Sequence, residues 1–494
     1  MTTQLSLPTD SRRQEVQTII KNASDEMRAD GVDQRDYVEQ LAWLFFLKVF
    51  DATEGDRADQ AAFDEGDYVR RLDGEFRWSS WSKLPADAML RFVNNRLWPN
   101  LQNKDRERSR TDAVSERLAR IFGQVDNHCR DATRFKRVVE QVDLLRFDQQ
   151  TDVIVLSELY ENLLKQVAAD SAGWAGEFYT QRHIIRAMVA VVDPKLGERV
   201  YDPCFGSAGF LAEAAEHMRR ARKTMSADEW RRFSEESFAG VELKGRAFLL
   251  GNMNLMLHGV HGAKLEIGNA LERHTANVPE AQKYNVILAN PPYGGKLADN
   301  VQTNFTIASG SSEVLFLQHI MANLAKGGRA GVVVPEGVLF RSGPDQKVRE
   351  RLLEEFDLHT VLSLPAGCFL PYTGVKTDVL FFDRRADGAT TSKVWFYELT
   401  NDGFELKGTR KPIAGEQLTD FVATQKTKAD GERSWSVAVE ELEKKGWDLT
   451  ARNPNRKREV DGRSAAEIVR SMREKEERIL VLLTEIEGML EGEG

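Results

Sequence analysis

The stretch VILANPPY at residues 286–293 joins a predicted buried strand to a rigid loop. Four consecutive apolar residues that end at prolines and glycines are typical of a strand buried on both faces of a parallel sheet. The two prolines lack N–H groups, and each restricts the residue before it to extended geometry, so Asn290 has little conformational freedom. The strand must therefore end at Asn290, and the loop that follows has a fixed shape.

This loop carries groups that suit a planar ring with an exocyclic amine. Asn290 provides a carboxamide, Pro291 a carbonyl group with few local partners, and Tyr293 an aromatic face. In an α/β sheet, ligands bind in the crevice beyond the carboxyl ends of the strands. A proline-rich loop that only ends a strand would contain the same residues, so a functional interpretation depends on the rest of the chain.

Short apolar runs alternate with predicted helices over residues 183–335. This alternation predicts a doubly wound α/β sheet with mainly parallel strands. The predicted strands end at Asp202, Glu242, Ile267, Asn290 and Pro335.

The flanking regions read as helical. Residues 11–150 are charged and rich in helix formers, and apolar residues at helical spacing predict an amphipathic helix over residues 36–51. The acidic residues 51–67 are predicted to form a loop. Residues 464–490 predict a long charged helix with an apolar stripe, which either packs on its own domain or binds a partner as in a coiled coil.

Composition limits the class of protein. A chain of 494 residues is long enough for two or three domains, and its net charge of -9 argues against a strongly basic nucleic-acid binder that acts alone. The three cysteines, Cys129, Cys204 and Cys368, have neither metal-ligand nor redox spacing, which favours a reduced, cytoplasmic protein without a metal site. No signal sequence and no apolar run of membrane-spanning length is present, so no membrane association is expected.

A second group of candidate residues follows the first two predicted strands. The turn over residues 202–210 contains glycines that let backbone approach a ligand, and it opens a helix predicted over residues 211–222. Its spacing is not that of a dinucleotide site, and no phosphate-binding loop of the ATPase type occurs in the chain. Glu242 could accept hydrogen bonds from the hydroxyls of a ribose or could simply be solvated, and Asn269 could bind the edge of an adenine.

Taken in order, these motifs resemble those of amino-methyltransferases that use S-adenosylmethionine. They are more closely similar to those of the modification subunit of type I restriction-modification systems. The motifs are Gly176 to Thr180, Asp202 to Phe210, Val241-Glu242, Gly268-Asn269 and Asn290 to Tyr293, and the match extends through Ser311-Ser312-Glu313 and Pro335-Glu336-Gly337 to Arg452-Asn453-Pro454. The resemblance covers nearly the whole chain. One departure is Gln181, where the family has a proline that presets the start of a helix, and glutamine fits there at small cost.

The resemblance implies a three-part organisation. Residues 151–430 would form a Rossmann-like α/β core, an S-adenosylmethionine-dependent N6-adenine methyltransferase domain. Residues 1–150 would form an all-α N-terminal domain, and residues 431–494 a C-terminal helical segment that binds a partner.

The resemblance also implies a set of residues that bind S-adenosyl-L-methionine. The residues that would close over the methionine end are Glu177, Phe178, Tyr179, Thr180, Gln181 and Arg182. Those that would approach it through backbone are Gly206, Ser207, Ala208 and Gly209. The set also includes Asp202, Glu242 and Asn269. Asp202 would orient the glycine turn or the methionine ammonium group. Glu242 would bind the ribose, and Asn269 the adenine edge of the cofactor.

For the reaction, the resemblance implies methyl transfer to the N6 amine of an adenine flipped out of duplex DNA. The Asn290 carboxamide oxygen and the Pro291 carbonyl would accept the two N–H hydrogens, and Pro292 would stiffen the loop. Tyr293 would stack on the base. Phe369 would grip the opposite face of the base, or would serve only as a buried packing residue.

The loop motif leaves alternatives open, because it also serves enzymes that methylate protein glutamine, RNA guanine or cytosine-N4. A methyltransferase-like scaffold in a defence complex is a further alternative. The resemblance implies that a separate specificity subunit reads the DNA, together with two copies of this chain, and that a restriction subunit with motor and nuclease activity joins them. We expect no membrane partner.

Overall fold

A computed structural model describes residues 10–63, 68–104, 113–146, 180–222, 225–260, 262–276, 278–294, 299–370, 373–407, 410–450, 452–455 and 464–491. The chain divides into two compact units, Met1–Asn453 and Pro454–Gly494.

The first part of the chain is helical, as the sequence predicts. Its helices are α1 (Asp10–Ala29), α2 (Gln34–Phe63), α3 (Trp78–Trp81), α4 (Ala86–Phe92), α5 (Trp98–Leu101), α6 (Ala113–Phe122) and α7 (Ala132–Asp143). A π-helical turn, Val93–Leu97, joins α4 to α5, and a 3₁₀ turn, Gly74–Phe76, precedes α3.

Helix α2 is longer and more deeply buried than its sequence suggests. Every residue from 37 to 47 is buried, so the helix has no solvent-exposed face there. The prediction of a loop over residues 51–67 is wrong up to residue 63, because the acidic side chains at the start of that stretch have partners. Glu54 accepts hydrogen bonds from the backbone N–H groups of Arg71 and Leu72, and Asp51 forms an ion pair with Arg77.

A mixed nine-stranded sheet follows, in the order β3-β2-β1-β4-β5-β7-β6-β8-β9. Strands β1 to β5 run parallel, β7 is antiparallel to both of its neighbours, β6 and β8 are parallel, and β9 is antiparallel to β8. The strands are β1 (Val200–Asp202), β2 (Phe238–Glu242), β3 (Lys264–Ile267), β4 (Tyr284–Ala289), β5 (Leu324–Pro335), β6 (Asp357–Ser363), β7 (Thr377–Arg384), β8 (Lys393–Glu398) and β9 (Ser434–Ala438).

Helices cover both faces of this sheet. They are α8 (Arg182–Val192), α9 (Gly209–Ala221), α10 (Ala227–Glu235), α11 (Gly245–Leu257), α12 (Asp299–Gln302), α13 (Ser312–Asn323), α14 (Gly337–Phe340), α15 (Pro344–Glu355), α16 (Leu418–Gln425) and α17 (Val439–Lys444). Successive residues of β4 alternate between two hydrophobic cores, with Val286 and Leu288 in one and Ile287 and Ala289 in the other. The prediction that this strand is buried on both faces is confirmed.

The N-terminal helices share the first of these cores. That core contains residues of α1, α2 and α7 together with residues of α9, α11 and β4, and α2 packs directly against α11. The α/β architecture with a helical N-terminal region is therefore as predicted. Residues 431–453 include strand β9, so the stretch after residue 430 is not entirely helical.

The second unit contains helix α18 (Ala465–Glu491). Its apolar side chains at Val469, Met472, Ile479, Leu482 and Leu483 are exposed. The idea that this stripe binds a partner stays a prediction. Among the residues that the structure describes, no helix is both long enough and apolar enough to cross a membrane.

Candidate active site

Four neighbouring strand ends bring the candidate residues to one edge of the sheet. Strands β3, β2, β1 and β4 are adjacent and parallel, so their carboxyl ends lie side by side. Asp202 and Glu242 are the last residues of β1 and β2, and Asn269 and Asn290 follow β3 and β4. The chain leaves β1 toward β2 on one side and returns to β4 on the other, which makes this edge the topological switch point where α/β sheets bind ligands.

The turn between β1 and α9 has a strained, closely packed backbone. Gly206 and Ala208 both have positive φ angles, 51° and 57°, and the latter is unusual for a residue with a side chain. A Cβ atom at Gly251 of α11 would lie 2.8 Å from the Gly206 carbonyl oxygen, so that helix touches the turn directly. The Asn254 amide of α11 also donates to the Ser207 carbonyl at 2.8 Å. Helix α11 thus holds the turn in its strained shape.

Two buried carboxyl groups organise this turn. Each oxygen of Glu242 accepts one backbone N–H, from Gly206 and from Lys244, both at 2.9 Å. Asp202 accepts the N–H of Cys204 at 3.0 Å. Burial raises the pKa of both groups, and burial together with the charge of Glu242 raises that of Asp202 to about 8. Both causes favour the protonated form of Asp202 in the ligand-free protein.

The loop after β4 is fastened through side-chain hydroxyls and a carboxylate. The Asn290 amide donates to Thr180 Oγ1 at 3.0 Å, and the Tyr293 hydroxyl donates to Asn290 Oδ1 at 2.5 Å. From the start of α13, the Ser312 hydroxyl donates to the Pro292 carbonyl at 3.1 Å, and Glu313 accepts the Gly294 N–H at 2.9 Å.

Ser312 and Glu313 are site residues to which the sequence analysis assigned no role. Both are buried in the structure, and Glu313 also accepts a hydrogen bond from the Ser311 hydroxyl at 2.7 Å. In the sequence, a Ser-Ser-Glu group before an apolar run reads as an ordinary helix start. The signal that could have found them is the burial of a carboxylate in an otherwise apolar helix, which sequence alone does not reveal.

The Tyr293 hydroxyl donates to Asn290 Oδ1, the acceptor atom predicted for the target amine. The Tyr293 ring lies at the edge of the hydrophobic core, and burial raises the pKa of its hydroxyl well above the ordinary value. The hydroxyl therefore stays protonated and remains a donor to Asn290 Oδ1. A base that is to use this oxygen must displace it.

The segment that leads into α8, with the first residue of that helix, contacts both the loop after β4 and the turn after β1. Thr180 contacts Asn290, and the Arg182 guanidinium donates to the Gly209 carbonyl at 2.9 Å. Burial lowers the pKa of Arg182 to about 10, which still leaves it charged. Gln181 precedes the helix with a φ of -59°, close to the value that proline would impose, and its carbonyl accepts hydrogen bonds from the first turn. Glu177, Phe178 and Tyr179 lie outside the described residues.

Phe369 and Asn269 are placed less directly at the edge. Phe369 is 3% exposed and belongs to the same hydrophobic core as the ring of Tyr293. Its burial agrees with a packing role, and its role against a target base stays a prediction. Asn269 follows β3 and caps the 3₁₀ turn Ala270–Glu272 by accepting the N–H of Leu271 at 3.0 Å.

Family models match two parts of the chain. Residues 150–462 match the model described as N-6 DNA Methylase, and residues 16–142 match the HsdM N-terminal domain. The chain is 33% identical to the methylase subunit of the type I restriction enzyme EcoEI from Escherichia coli, over 89% of this chain and 90% of that protein. It is 29% identical to the methylase subunit of StySPI from Salmonella potsdam, over 85% of this chain and 78% of that protein.

Two solved structures resemble the whole fold. A chain from a type I restriction-modification system, studied for complex assembly and conformational transition, has a TM-score of 0.79 and 37% identity, and the match covers 98% of this chain and 99% of that one. A modification subunit of a type I restriction enzyme from Vibrio vulnificus YJ016 has a TM-score of 0.74 and 29% identity, with coverage of 92% and 99%.

Proposed function

The chain belongs to the N-6 DNA methylase family as a type I restriction enzyme methylase subunit, and from this we propose how its residues methylate adenine in DNA. The observation that carries the proposal is the meeting of Asp202, Glu242, Asn269 and Asn290 at one sheet edge. The first three form a cofactor half of the site, and the loop at residues 290–294 forms a target half.

In the target half, the chain prepares a poor nucleophile. The lone pair of an adenine amine is delocalised into the ring, and accepting both N–H hydrogens favours the form in which it is localised. Asn290 Oδ1 and the Pro291 carbonyl are the two acceptors. Because Thr180 accepts from the Asn290 amide nitrogen, the carboxamide oxygen is the atom that faces Tyr293 and the incoming base.

Entry of the base exchanges one donor for another. The Tyr293 hydroxyl gives up Asn290 Oδ1 to the amine, and its ring becomes a surface on which the base stacks. Stacking recovers part of the cost of unstacking the base, which is a few kcal/mol. Ser312 and Glu313 keep the loop backbone in place meanwhile, since their contacts are to backbone groups of Pro292 and Gly294.

In the cofactor half, the groups present suit S-adenosyl-L-methionine, the methyl donor that the methyltransferase family implies. When bound, it supplies an activated methyl group on a sulfonium. The Glu242 carboxylate accepts the backbone N–H groups of Gly206 and Lys244, and a carboxylate has about four acceptor sites, so it can also accept ribose hydroxyls. The residues that would hold its methionine portion are Gly206, Ser207, Ala208 and Gly209 through their backbone, and Glu177, Phe178, Tyr179, Thr180, Gln181 and Arg182. Asn269 would bind the adenine edge of the cofactor.

Catalysis by this arrangement relies on positioning and on placed hydrogen-bond acceptors. It needs no covalent enzyme intermediate. Phe369 would hold the second face of the base once the base has entered. The boundary at residue 150 is likewise part of the proposal, whereas the sheet extends beyond the boundary expected at residue 430 because β9 pairs with β8.

The partners follow from membership of a type I system. We propose that a separate specificity subunit selects the DNA sequence, that two copies of this chain flank it, and that a motor and nuclease subunit adds restriction. The net charge of -9 suits a chain that shares its DNA contact with other subunits.

The test is to sequence methylated bases in genomic DNA from cells with and without this chain and its partner subunits. We expect N6-methyladenine within one recurring sequence only when the chain is present. The purified complex should also transfer radiolabelled methyl groups to DNA that contains this sequence. Label in protein or RNA, or on cytosine, would overturn the proposal in favour of another planar amine, and no label anywhere would favour a scaffold.

A further inference from the structure

A buried ion pair, formed by Asp402 and Arg410, contacts the backbone of the residue before Phe369. Arg410 donates to both oxygens of Asp402, at 2.7 and 2.5 Å. The Asp402 side chain is fully buried, and that of Arg410 is 7% exposed. Although burial raises the pKa of Asp402, hydrogen bonds from His183 and Arg410 bring it below the ordinary value, so the carboxylate is charged. Burial removes both charged groups from water, and this desolvation offsets much of their attraction, so stability alone does not explain the pair.

One end of this pair reaches the segment that carries Phe369. The second terminal nitrogen of Arg410 donates to the carbonyl of Cys368, the residue immediately before Phe369. The same side chain donates to the Glu405 carbonyl at 3.3 Å. The planar guanidinium thus spans a carboxylate and a carbonyl on different segments, which a lysine ammonium could not do with the same geometry.

The other end of the pair reaches the first turn of α8. His183 Nε2 lies 3.0 Å from Asp402 Oδ2, and its ring stacks on Phe404 with the centroids 4.7 Å apart. The Arg410 guanidinium lies over the same Phe404 ring, at 5.5 Å. The aromatic ring therefore contacts both of the polar side chains that bind Asp402, and it limits where each can move.

The residues at the entry to α8 also contact the other parts of the site. Thr180, three residues before His183, accepts from the Asn290 amide, and Arg182 donates to the Gly209 carbonyl. Polar contacts at Thr180 and His183, joined by the short chain segment between them, therefore connect the loop at Asn290 to the backbone beside Phe369.

We propose that His183, Asp402 and Arg410, here called the positioning cluster, fix the Phe369 ring in register with Asn290. The target base then meets its second aromatic face while its amine meets its acceptors. The inference rests on the proposed function, in which Phe369 contacts the base. The cluster touches neither the base nor the cofactor and acts only through Phe369 and α8.

The experiment uses the complex of this chain with its specificity subunit and a duplex that carries 2-aminopurine at the target adenine. The fluorescence of this analogue rises when it leaves the stack and falls when it stacks on an aromatic ring. We compare Phe369→Ala, Arg410→Gln and their double variant. For each we measure fluorescence, kcat with normal DNA, cofactor affinity and melting temperature.

Arg410→Gln should reproduce Phe369→Ala. We expect brighter 2-aminopurine and a fall in kcat of about 10- to 100-fold, because a misplacement of about 1 Å can cost that much. Cofactor affinity should stay within about twofold. The double variant should be no slower than Phe369→Ala alone, since the cluster has nothing left to position. Arg410→Lys should not restore the rate.

Two further variants separate positioning from stability. Arg349→Gln removes another buried arginine that donates to backbone carbonyls, those of Val338, Arg341 and Trp447, outside the cluster. It should lower the melting temperature but leave the fluorescence unchanged. Asp402→Asn combined with Arg410→Gln leaves no unpaired buried charge, so it keeps the test available if Arg410→Gln does not fold.

The outcomes are distinguishable. If Phe369→Ala leaves both kcat and fluorescence unchanged, the proposed contact between Phe369 and the base is wrong. If Phe369→Ala has its effect but the cluster variants do not, or if the two effects multiply in the double variant, the positioning role is wrong and the proposed function stands.

Discussion

In the cofactor half of the site, the Glu242 carboxylate is held by backbone N–H groups, whereas in the target half the Asn290 carboxamide is held by two hydroxyl groups. Backbone groups are fixed by the fold itself. Hydroxyl groups rotate, and the Tyr293 hydroxyl can leave Asn290 without any change in the sheet. Under the proposed function, the cofactor half is therefore preformed, whereas the internal hydrogen bonds of the target half are exchanged when the base binds.

The largest effect should come from Asn290→Ala, which removes the acceptor proposed for the amine of the target base. We expect methyl transfer to fall by about 10²- to 10³-fold, the usual effect of removing one placed polar group. Cofactor affinity, measured by calorimetry, should stay unchanged because Asn290 belongs to the target half. Asn252→Ala, in which the lost asparagine bonds only to a carbonyl of its own helix, is the matched control. Equal losses of cofactor affinity and rate would contradict the division into halves.

Glu242→Ala should act on the other half. Loss of hydrogen bonds from two hydroxyls to a charged acceptor should weaken cofactor binding by about 10- to 100-fold. Once the cofactor is saturating, the rate should recover most of its original value. Glu266→Ala, on the exposed surface of the neighbouring strand, serves as the control and should not alter calorimetric affinity. Unchanged affinity in Glu242→Ala would remove the ribose assignment.

Asp202 provides a pH test of the preformed half. Its pKa is raised from 3.8 to about 8, so the folded protein holds a proton that the unfolded chain has released. Its contribution to stability is therefore fully present below pH 3.8 and is lost as pH rises through about 8, by at most about 1.4 kcal/mol per pH unit. The melting temperature of the ligand-free protein should fall over this window.

Asp202→Asn should flatten that profile, because an amide does not titrate. Glu242, whose pKa is also raised, leaves a slope in the same direction. Thermal melts at several pH values without ligand measure both proteins. Identical slopes for the two would show that Asp202 is ionised throughout.

The smallest effect should come from Tyr293→Phe, which keeps the ring and removes the hydroxyl that competes for Asn290 Oδ1. One net hydrogen bond corresponds to about a two- to tenfold change, so the KM for DNA should fall by that factor with little change in kcat. A large fall in kcat would mean that the hydroxyl acts in the reaction itself and that the target half is less exchangeable than its contacts suggest.

Local sequence was sufficient for the strand ends but not for what fastens them. The predicted strand ends at Ala289 in the structure, directly before Asn290, because an apolar run closed by prolines leaves little choice of end. The contacts of Ser312 and Glu313 with the loop join residues about 20 positions apart, and no short pattern encodes such a distance.

The sequence did not predict strands β6 to β9, for a related reason. Strands β6 to β9 lie beyond the last predicted strand end at Pro335, and β9 is a short edge strand with serines at alternate positions. Its pairing with β8 supplies order that its own composition does not. The end of α2 was wrongly predicted for the same reason. Asp51 and Glu54 have the composition of a loop, and their partners, Arg77 and the backbone N–H of Arg71, lie outside the helix.

The packing of α2 against α11 has a consequence for how the protein is made. The apolar surface of α2 leaves the ribosome well before its cover exists, because roughly 100 residues separate the end of α7 from the start of α11. At typical synthesis rates that interval lasts roughly 5 to 20 seconds. During it, the nascent helices must shelter this surface among themselves or on a chaperone, and their final arrangement must wait for the sheet.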